Sequence, residues 1–243
     1  MNNRSIGMFD SGIGGHTVLK EFQKIMPNED FIYYADSMHL PYGDKTKEQI
    51  ISFSDNISKI LINNNVKAIV IACGTASSLA YNYLKANYTL PIFDIITPVA
   101  KELSINKFCK KIGIMATEAS VKSHIWENTI KSLNCNVEIY SIACPTLVPL
   151  AEKGLQNSIE AKIDIQNYLK SFRDVKIDTL ILGCTHYPLF EDLIKEELGN
   201  SINIINPGKV LAIKFKEYMD ANSLNANYNK NGTVFFMNSK KSP

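Results

Sequence analysis

Two cysteines occupy matching positions in this chain. Cys73 and Cys184 each follow an apolar run that is typical of a buried strand, and a threonine comes within two residues of each. A thiolate is both a nucleophile and a base, so one such thiol would indicate a nucleophile. Two thiols from matching segments indicate two bases that face one carbon atom from opposite sides. That pair predicts inversion of a stereocentre by proton transfer, without a cofactor.

A buried cysteine at a strand end is also a common structural residue, so position alone leaves both interpretations open. Residues 74–78 predict a helix whose first N–H groups would lower the thiol pKa of Cys73 from about 8.5 and bind a carboxylate. We expect the same setting for Cys184. The repetition favours catalysis by these two, whereas a structural role is predicted for the cysteines that lack it: Cys109, Cys135 and Cys144.

Other polar residues accompany the cysteines. His186, two residues after Cys184, predicts an acid–base partner or an imidazolium beside the thiolate, with a buried structural histidine as the alternative. Asp10 precedes a glycine-rich segment at 11–15, which predicts either a helix cap or close approach of backbone to an anion. This segment matches neither nucleotide-binding glycine motif. The cysteine and histidine spacing predicts no metal site.

Apolar runs and amphipathic segments alternate along the chain. The spacing predicts a helix over 17–26 and strands over 6–9, 31–34, 68–72, 111–115, 137–142, 179–182 and 202–205. Strands that alternate with helices predict an α/β fold with parallel sheets.

The chain also resembles itself. Residues 6–11 correspond to 112–117, 35–41 to 143–149, and 95–98 to 204–207, with a nearly constant offset of about 106 to 111 residues that also relates Cys73 to Cys184. We therefore predict two similar parallel-sheet α/β domains related by internal duplication. Thr97 and Asn206, each followed by proline, are expected to cap helices where the chain crosses between domains.

This interpretation assigns residues 1–97 to the first domain and 98–206 to the second, with 207–243 returning to the first. Ligands of parallel sheets bind beyond the carboxyl ends of the strands. We expect those ends to face each other, so that the active site lies in the cleft between the domains.

Composition excludes several classes of protein. A net charge of +2 favours neither nucleic acid nor an anionic membrane as a partner. No apolar run reaches the roughly 20 residues that span a bilayer. Five cysteines without a Cys-x-x-Cys pair, and no signal-peptide pattern, predict reduced thiols in the cytoplasm.

Several segments together resemble the glutamate racemases of the cofactor-independent aspartate/glutamate racemase superfamily. They are residues 9–15, 41–43, 72–77, 144–152 and 183–188, the last reading Gly-Cys-Thr-His-Tyr-Pro. The resemblance covers about residues 6–212 in the family's order. It implies interconversion of L- and D-glutamate, no cofactor, and supply of the D isomer for peptidoglycan synthesis. Family members commonly dimerise, which allows a homodimer here.

The resemblance also implies roles for particular residues. It makes Cys73 the base for the D isomer and Cys184 the base for the L isomer. Catalytic assistance is implied for four further residues: Asp10, His186, Glu152 and Asp36. Substrate contacts are implied for Ser11, Pro41, Tyr42, Gly43, Gly74, Thr75, Thr117 and Thr185.

Three positions depart from the family pattern: Gly74 stands where Asn is common, and Ser120 and Trp126 where Thr and Tyr are common. The chain also stops soon after residues 231–236, without the further helix that is usual. A racemase for aspartate or another amino acid is the nearest alternative. A single-cysteine hydrolase or amidase, or a two-lobed binding protein, would leave the second cysteine unexplained.

Overall fold

Strands and helices alternate along the chain, as its apolar runs predict. The computed structural model describes residues 2–106, 109–134, 136–199, 201–227 and 231–240, so Cys135 lies outside the described residues. The strands are β1 (Ile6–Asp10), β2 (Phe31–Ala35), β3 (Ala68–Ile71), β4 (Ile92–Asp94), β5 (Lys111–Ala116), β6 (Glu138–Ala143), β7 (Thr179–Leu182), β8 (Asn203–Ile205) and β9 (Val234–Asn238).

The helices between them are α1 (His16–Ile25), α2 (Lys47–Asn63), α3 (Gly74–Asn87), α4 (Thr97–Ile105), α5 (Glu118–Lys122), α6 (Ile125–Leu133), α7 (Leu147–Glu152), α8 (Ile159–Val175), α9 (Glu191–Leu198) and α10 (Pro207–Ala221). Short 3₁₀ helices cover Tyr42–Asp44 and Tyr187–Phe190. In the part of the chain that the structure describes, no helix combines the length and apolarity needed to cross a membrane.

The strands form two sheets, and every strand pair is parallel. One sheet has the order β4-β3-β1-β2-β9 and the other the order β6-β5-β7-β8. The predicted α/β class is confirmed. When the second sheet is taken from its far edge, β8-β7-β5-β6, it has the same order as the first four strands of the other. Two edge strands, β4 and β9, were not predicted.

The central strands are buried on both faces, which explains their continuous apolar runs. One hydrophobic cluster includes residues of both sheets, such as Val70 and Ile112. Val99 of α4 and Phe215 of α10 belong to the same cluster. Because this core is continuous, packing across it fixes how the two sheets lie relative to each other.

Helix starts confirm one expected cap and correct another. Asn206 caps α10 by accepting a hydrogen bond from the backbone N–H of Gly208. Thr97, however, is the first helical residue of α4 and not its cap. The carboxylate of Asp94 accepts the backbone N–H of Thr97 at 2.8 Å instead. An ionised acceptor beside the helix N-terminus is the stronger cap at this position.

A buried lysine joins the segment after α10 to the five-stranded sheet. Lys67 Nζ lies 2.5 Å from Glu29 Oε2 and donates to the carbonyls of Asn2 and Leu224. Glu29 also accepts the backbone N–H of Ala226 at 2.7 Å. This paired charge connects three segments that are distant in sequence.

Candidate active site

A cavity of about 90 Å³ lies where the carboxyl ends of the two sheets meet. Its walls come from segments that follow β1, β2 and β3 of one sheet and β5, β6 and β7 of the other. This is the position at which parallel sheets bind ligands. Eleven of the predicted site residues line it: Ser11, Pro41, Tyr42, Gly43, Cys73, Gly74, Thr75, Thr117, Cys184, Thr185 and His186.

Cys73 caps helix α3. The backbone N–H of Ala76 donates to its Sγ at 3.5 Å, and Ser11 Oγ lies 3.8 Å from the same sulfur. Burial, together with the nearby charge of Asp10, raises the pKa of Cys73 to about 12. The helix N-terminus was expected to lower that pKa, but in this buried setting desolvation outweighs the hydrogen bonds. Cys73 is therefore a neutral thiol near pH 7.

Cys184 does not stand at a helix start, contrary to expectation. The chain turns after it, with the Tyr187 N–H donating to the Cys184 carbonyl at 3.0 Å, and α9 begins only at Glu191. The first helical segment after Cys184 is the 3₁₀ helix Tyr187–Phe190, which begins three residues later. The partner of the Cys184 sulfur is instead His186, whose Nδ1 lies 3.7 Å from Sγ.

His186 carries a positive charge near neutral pH. Burial opposes that charge, but hydrogen bonds to Cys184 and Glu152 raise the pKa of His186 to about 10. Nε2 donates to Glu152 Oε1 at 2.7 Å. Glu152 is the last residue of α7. Burial raises its pKa, but the bond to His186 more than offsets this, so the net shift is downward.

The glycine-rich segment binds the chain's own Asp10. Asp10 is fully buried, and its Oδ2 accepts the backbone N–H groups of Gly12 and Gly15, each at 3.0 Å. Thr185 Oγ1 donates to Oδ1 at 3.3 Å. Burial raises the pKa of Asp10, and the charge of His186 and these hydrogen bonds oppose the rise. These two N–H groups are therefore occupied by a side chain and not offered to an external anion.

Asp36 lies behind the cavity wall and holds Tyr42. The Tyr42 hydroxyl donates to Asp36 Oδ2 at 2.6 Å, and His39 Nδ1 lies 2.8 Å from Oδ1. The His39 ring stacks on Phe53, with ring centroids 3.8 Å apart. His39 was not among the predicted site residues. The only available signal was its place between Asp36 and Tyr42.

Gly74 lies in contact with the loop that carries Cys184. A Cβ at position 74 would stand 2.4 Å from the carbonyl oxygen of Gly183. No side chain fits there without a backbone shift. This explains why glycine stands at a position where asparagine is common in the glutamate racemases that the sequence resembles. Next to it, Thr75 Oγ1 and Thr117 Oγ1 are hydrogen-bonded at 2.9 Å.

Cys144, for which a structural role was predicted, lies in the cavity wall. Burial raises its pKa, so this thiol contributes a small apolar surface. The sequence signal was available, since Cys144 directly follows β6. Cys109 lies next to Thr179 at the start of β7, at the opposite end of the sheet. Further wall residues were not predicted as site residues: Leu40, Asp44, Glu118, Pro145, Val148 and Pro149.

Comparison with known proteins gives concordant matches. The model of the Asp/Glu/Hydantoin racemase family matches residues 16–214. Glutamate racemase 2 of Caldanaerobacter subterraneus subsp. tengcongensis is 42% identical over 236 residues, which cover 97% of this chain and 88% of the relative. The structure of glutamate racemase isoform RacE1 from Bacillus anthracis matches with a TM-score of 0.94 at 32% identity, over 99% of this chain and 90% of that one. A glutamate racemase from Francisella tularensis, in complex with D-glutamate, matches with a TM-score of 0.91 at 33% identity, over 100% and 90%.

Proposed function

The chain belongs to the Asp/Glu/Hydantoin racemase family, and from this premise we propose that it interconverts L- and D-glutamate by proton transfer between two cysteines. The observation that carries the proposal is that Cys73 and Cys184 line one cavity, each from a different sheet. Glutamate is preferred to aspartate because the relatives that match over most of the chain are glutamate racemases.

In the direction from L to D, the Cys184 thiolate removes the α-proton and the Cys73 thiol donates its proton to the opposite face of the carbanion. Two effects favour this starting state. The His186 imidazolium donates to the Cys184 sulfur, and burial keeps Cys73 protonated. After one turnover the protons are exchanged, so that Cys73 is the thiolate and Cys184 the thiol. That form accepts the D isomer.

The difficult step is formation of a carbanion beside a carboxylate, because a thiolate is a weak base for such a proton. Stabilisation of the developing charge must come from fixed dipoles in the cavity. The first turn of α3 and the hydroxyls of Thr75 and Thr117 are the donors placed to supply it. Loss of one such preorganised donor typically costs about 10²- to 10³-fold in kcat.

The remaining acids assist from behind the wall. We assign Asp10 to positioning Thr185, Glu152 to holding the charge of His186, and Asp36 to holding Tyr42, since each accepts a hydrogen bond from that partner. We also propose that residues 1–97 and 207–243 form one domain and 98–206 the other, related by duplication. Matching strand order in the two sheets supports this division. The D isomer produced would supply peptidoglycan synthesis, as the family resemblance implies.

The test follows each enantiomer of glutamate in D₂O by NMR and circular dichroism. Each should yield the opposite enantiomer with deuterium at Cα, and Cys73→Ser or Cys184→Ser should abolish turnover. Cys109→Ser, far from the cavity, is the matched control. Parallel assays with both aspartates separate the nearest alternative. The values of kcat/KM for L-glutamate and D-glutamate must be equal, because the two enantiomers have equal free energies and their equilibrium constant is therefore one. Full racemisation by either single variant would exclude the two-base scheme.

A further inference from the structure

Two hydroxyl pairs join helix α3 to the start of α5, and only one of them faces the cavity. Thr75 and Thr117 line the cavity and are bonded to each other at 2.9 Å. Three residues further along each segment, Ser78 Oγ and Ser120 Oγ lie 2.7 Å apart, behind the cavity wall. Residues three apart share one face of a helix, so the two pairs are successive contacts along the same seam.

The serine pair has a defined donor. Ser78 donates its single hydroxyl proton to the carbonyl of Gly74 at 2.8 Å. The bond between the serines must therefore be donated by Ser120. Ser120 is fully buried, so loss of this bond would leave its hydroxyl unpaired in the protein interior.

A backbone contact lies one turn before Ser78, between the start of α3 and the loop after β7. The Cα of Gly74 is so close to Gly183 that a Cβ there would be 2.4 Å from the carbonyl oxygen. Gly74 follows Cys73 directly, and Gly183 precedes Cys184 directly. The distance between the two segments that carry the thiols is thus set at this contact.

We propose that Gly74, Ser78, Ser120 and Gly183 form a clasp that holds the two thiol-bearing segments at the separation needed for proton transfer on both faces of the substrate carbon. The proposal deepens the proposed function and rests on it. These four are positioning residues: they act through the placement of Cys73 and Cys184.

The clasp is needed because a bound substrate would compete for the neighbouring hydrogen bond between Thr75 and Thr117. A carboxylate that accepts the hydroxyl protons of Thr75 and Thr117 removes the bond between them. The serine pair lies behind the wall, where substrate does not reach it, so its bond persists in the loaded enzyme. Reacting atoms must approach to about 3–3.5 Å, and a misplacement of about 1 Å can cost about 10²-fold in rate.

The test combines steady-state racemisation of glutamate with labelling of each thiol by iodoacetamide, read by peptide mass mapping without substrate. Ser78→Ala, Ser120→Ala and the double variant should each lower kcat about tenfold or more, with the double no worse than the worse single. Labelling of Cys73 and Cys184 should become several-fold faster. Gly74→Ala should lower kcat further, by about 10²-fold.

Ser78→Thr retains the hydroxyl at a half-buried position and should restore most of kcat. Ser132→Ala removes an exposed helical hydroxyl that donates to the Thr129 carbonyl, and it should change neither readout. Melting temperatures show whether a variant is merely less stable.

The outcomes separate the two proposals. If the wild-type chain fails to racemise glutamate while the serine variants still expose the thiols, the proposed function is wrong and the clasp geometry stands. If the wild type racemises glutamate, and the folded serine variants keep its kcat and its labelling rates, the clasp is wrong. A lower melting temperature with unchanged kcat would also overturn it.

Discussion

Replacement of Glu152 by glutamine tests whether this carboxylate maintains the charge of His186. The two side chains share a hydrogen bond of 2.7 Å, and the His186 side chain is only 2% exposed. A hydrogen bond to a charged group contributes about 1.5–3 kcal/mol, and one pKa unit corresponds to about 1.4 kcal/mol. Loss of the bond should therefore lower the pKa of His186 by about 1–2 units from its value of about 10.

The expected change in the pH dependence of the His186 charge follows from the direction of that pKa shift. Partners raise the pKa of His186, so its charge is complete at low pH and is lost as pH rises toward about 10. In Glu152→Gln the charge should disappear at lower pH. NMR titration of the imidazole resonances measures this directly. The alkaline decline of kcat should move in the same direction by a similar amount, because the proton on Nδ1 that supports the Cys184 sulfur is lost earlier.

A matched variant separates this effect from a general change of charge. Glu191→Gln removes a carboxylate that pairs with Lys195 at 2.6 Å on helix α9. It should leave the titration of His186 in place. An unchanged His186 pKa in Glu152→Gln would refute the assignment of Glu152 as the partner that holds this charge.

Three further substitutions probe the wall and the core. His39→Ala frees one side of the carboxylate that holds Tyr42, and should raise KM for glutamate about two- to tenfold in steady-state assays, with a smaller change in kcat. Asp10→Asn should lower activity yet raise the free energy of unfolding at pH 7 in urea titrations, because burial raises the pKa of Asp10; the gain should vanish as pH falls through that raised pKa. Glu29→Gln leaves the Lys67 ammonium without its counter-charge and should cost about 3–5 kcal/mol of unfolding free energy, whereas Glu29→Leu with Lys67→Met should cost less.

Local signals in the sequence were sufficient for the main features of the site. Apolar runs identified the buried strands, and the carboxyl ends of parallel strands necessarily share an edge of their sheet. Cys73 and Cys184 could therefore be expected near one site. Recurrence of the pattern at a fixed offset predicted a second sheet like the first, and the strand orders agree with that.

Other features depend on contacts between distant segments and leave no local signal. Ser78 and Ser120 are 42 residues apart, and nothing in either segment indicates that they are bonded to each other. The partners of Asp10 and Asp36 likewise follow from how loops pack. The helix expected directly after Cys184 is instead a turn followed by the 3₁₀ helix Tyr187–Phe190, and the local pattern does not distinguish the two.

The placement of the acids has a common physical reason. Each of the three predicted carboxylates lies one hydrogen bond behind the wall, and the residue it holds lines the cavity. The pairs are Asp10 with Thr185, Asp36 with Tyr42, and Glu152 with His186.

An anionic substrate accounts for this arrangement. A buried carboxylate about 4 Å from a substrate carboxylate would repel it by about 4 kcal/mol at an effective dielectric constant of 20. One bond further back, the same charge fixes the hydroxyl of Thr185 or Tyr42, whose proton points to the carboxylate. In the third pair it stabilises the His186 imidazolium, whose Nδ1 faces the Cys184 sulfur. The two acids that do reach the wall, Asp44 and Glu118, are exposed, so that water screens their charge. A cavity that binds glutamate as proposed can therefore use three carboxylates only as supports for the side chains of its wall, which is the role their contacts give them.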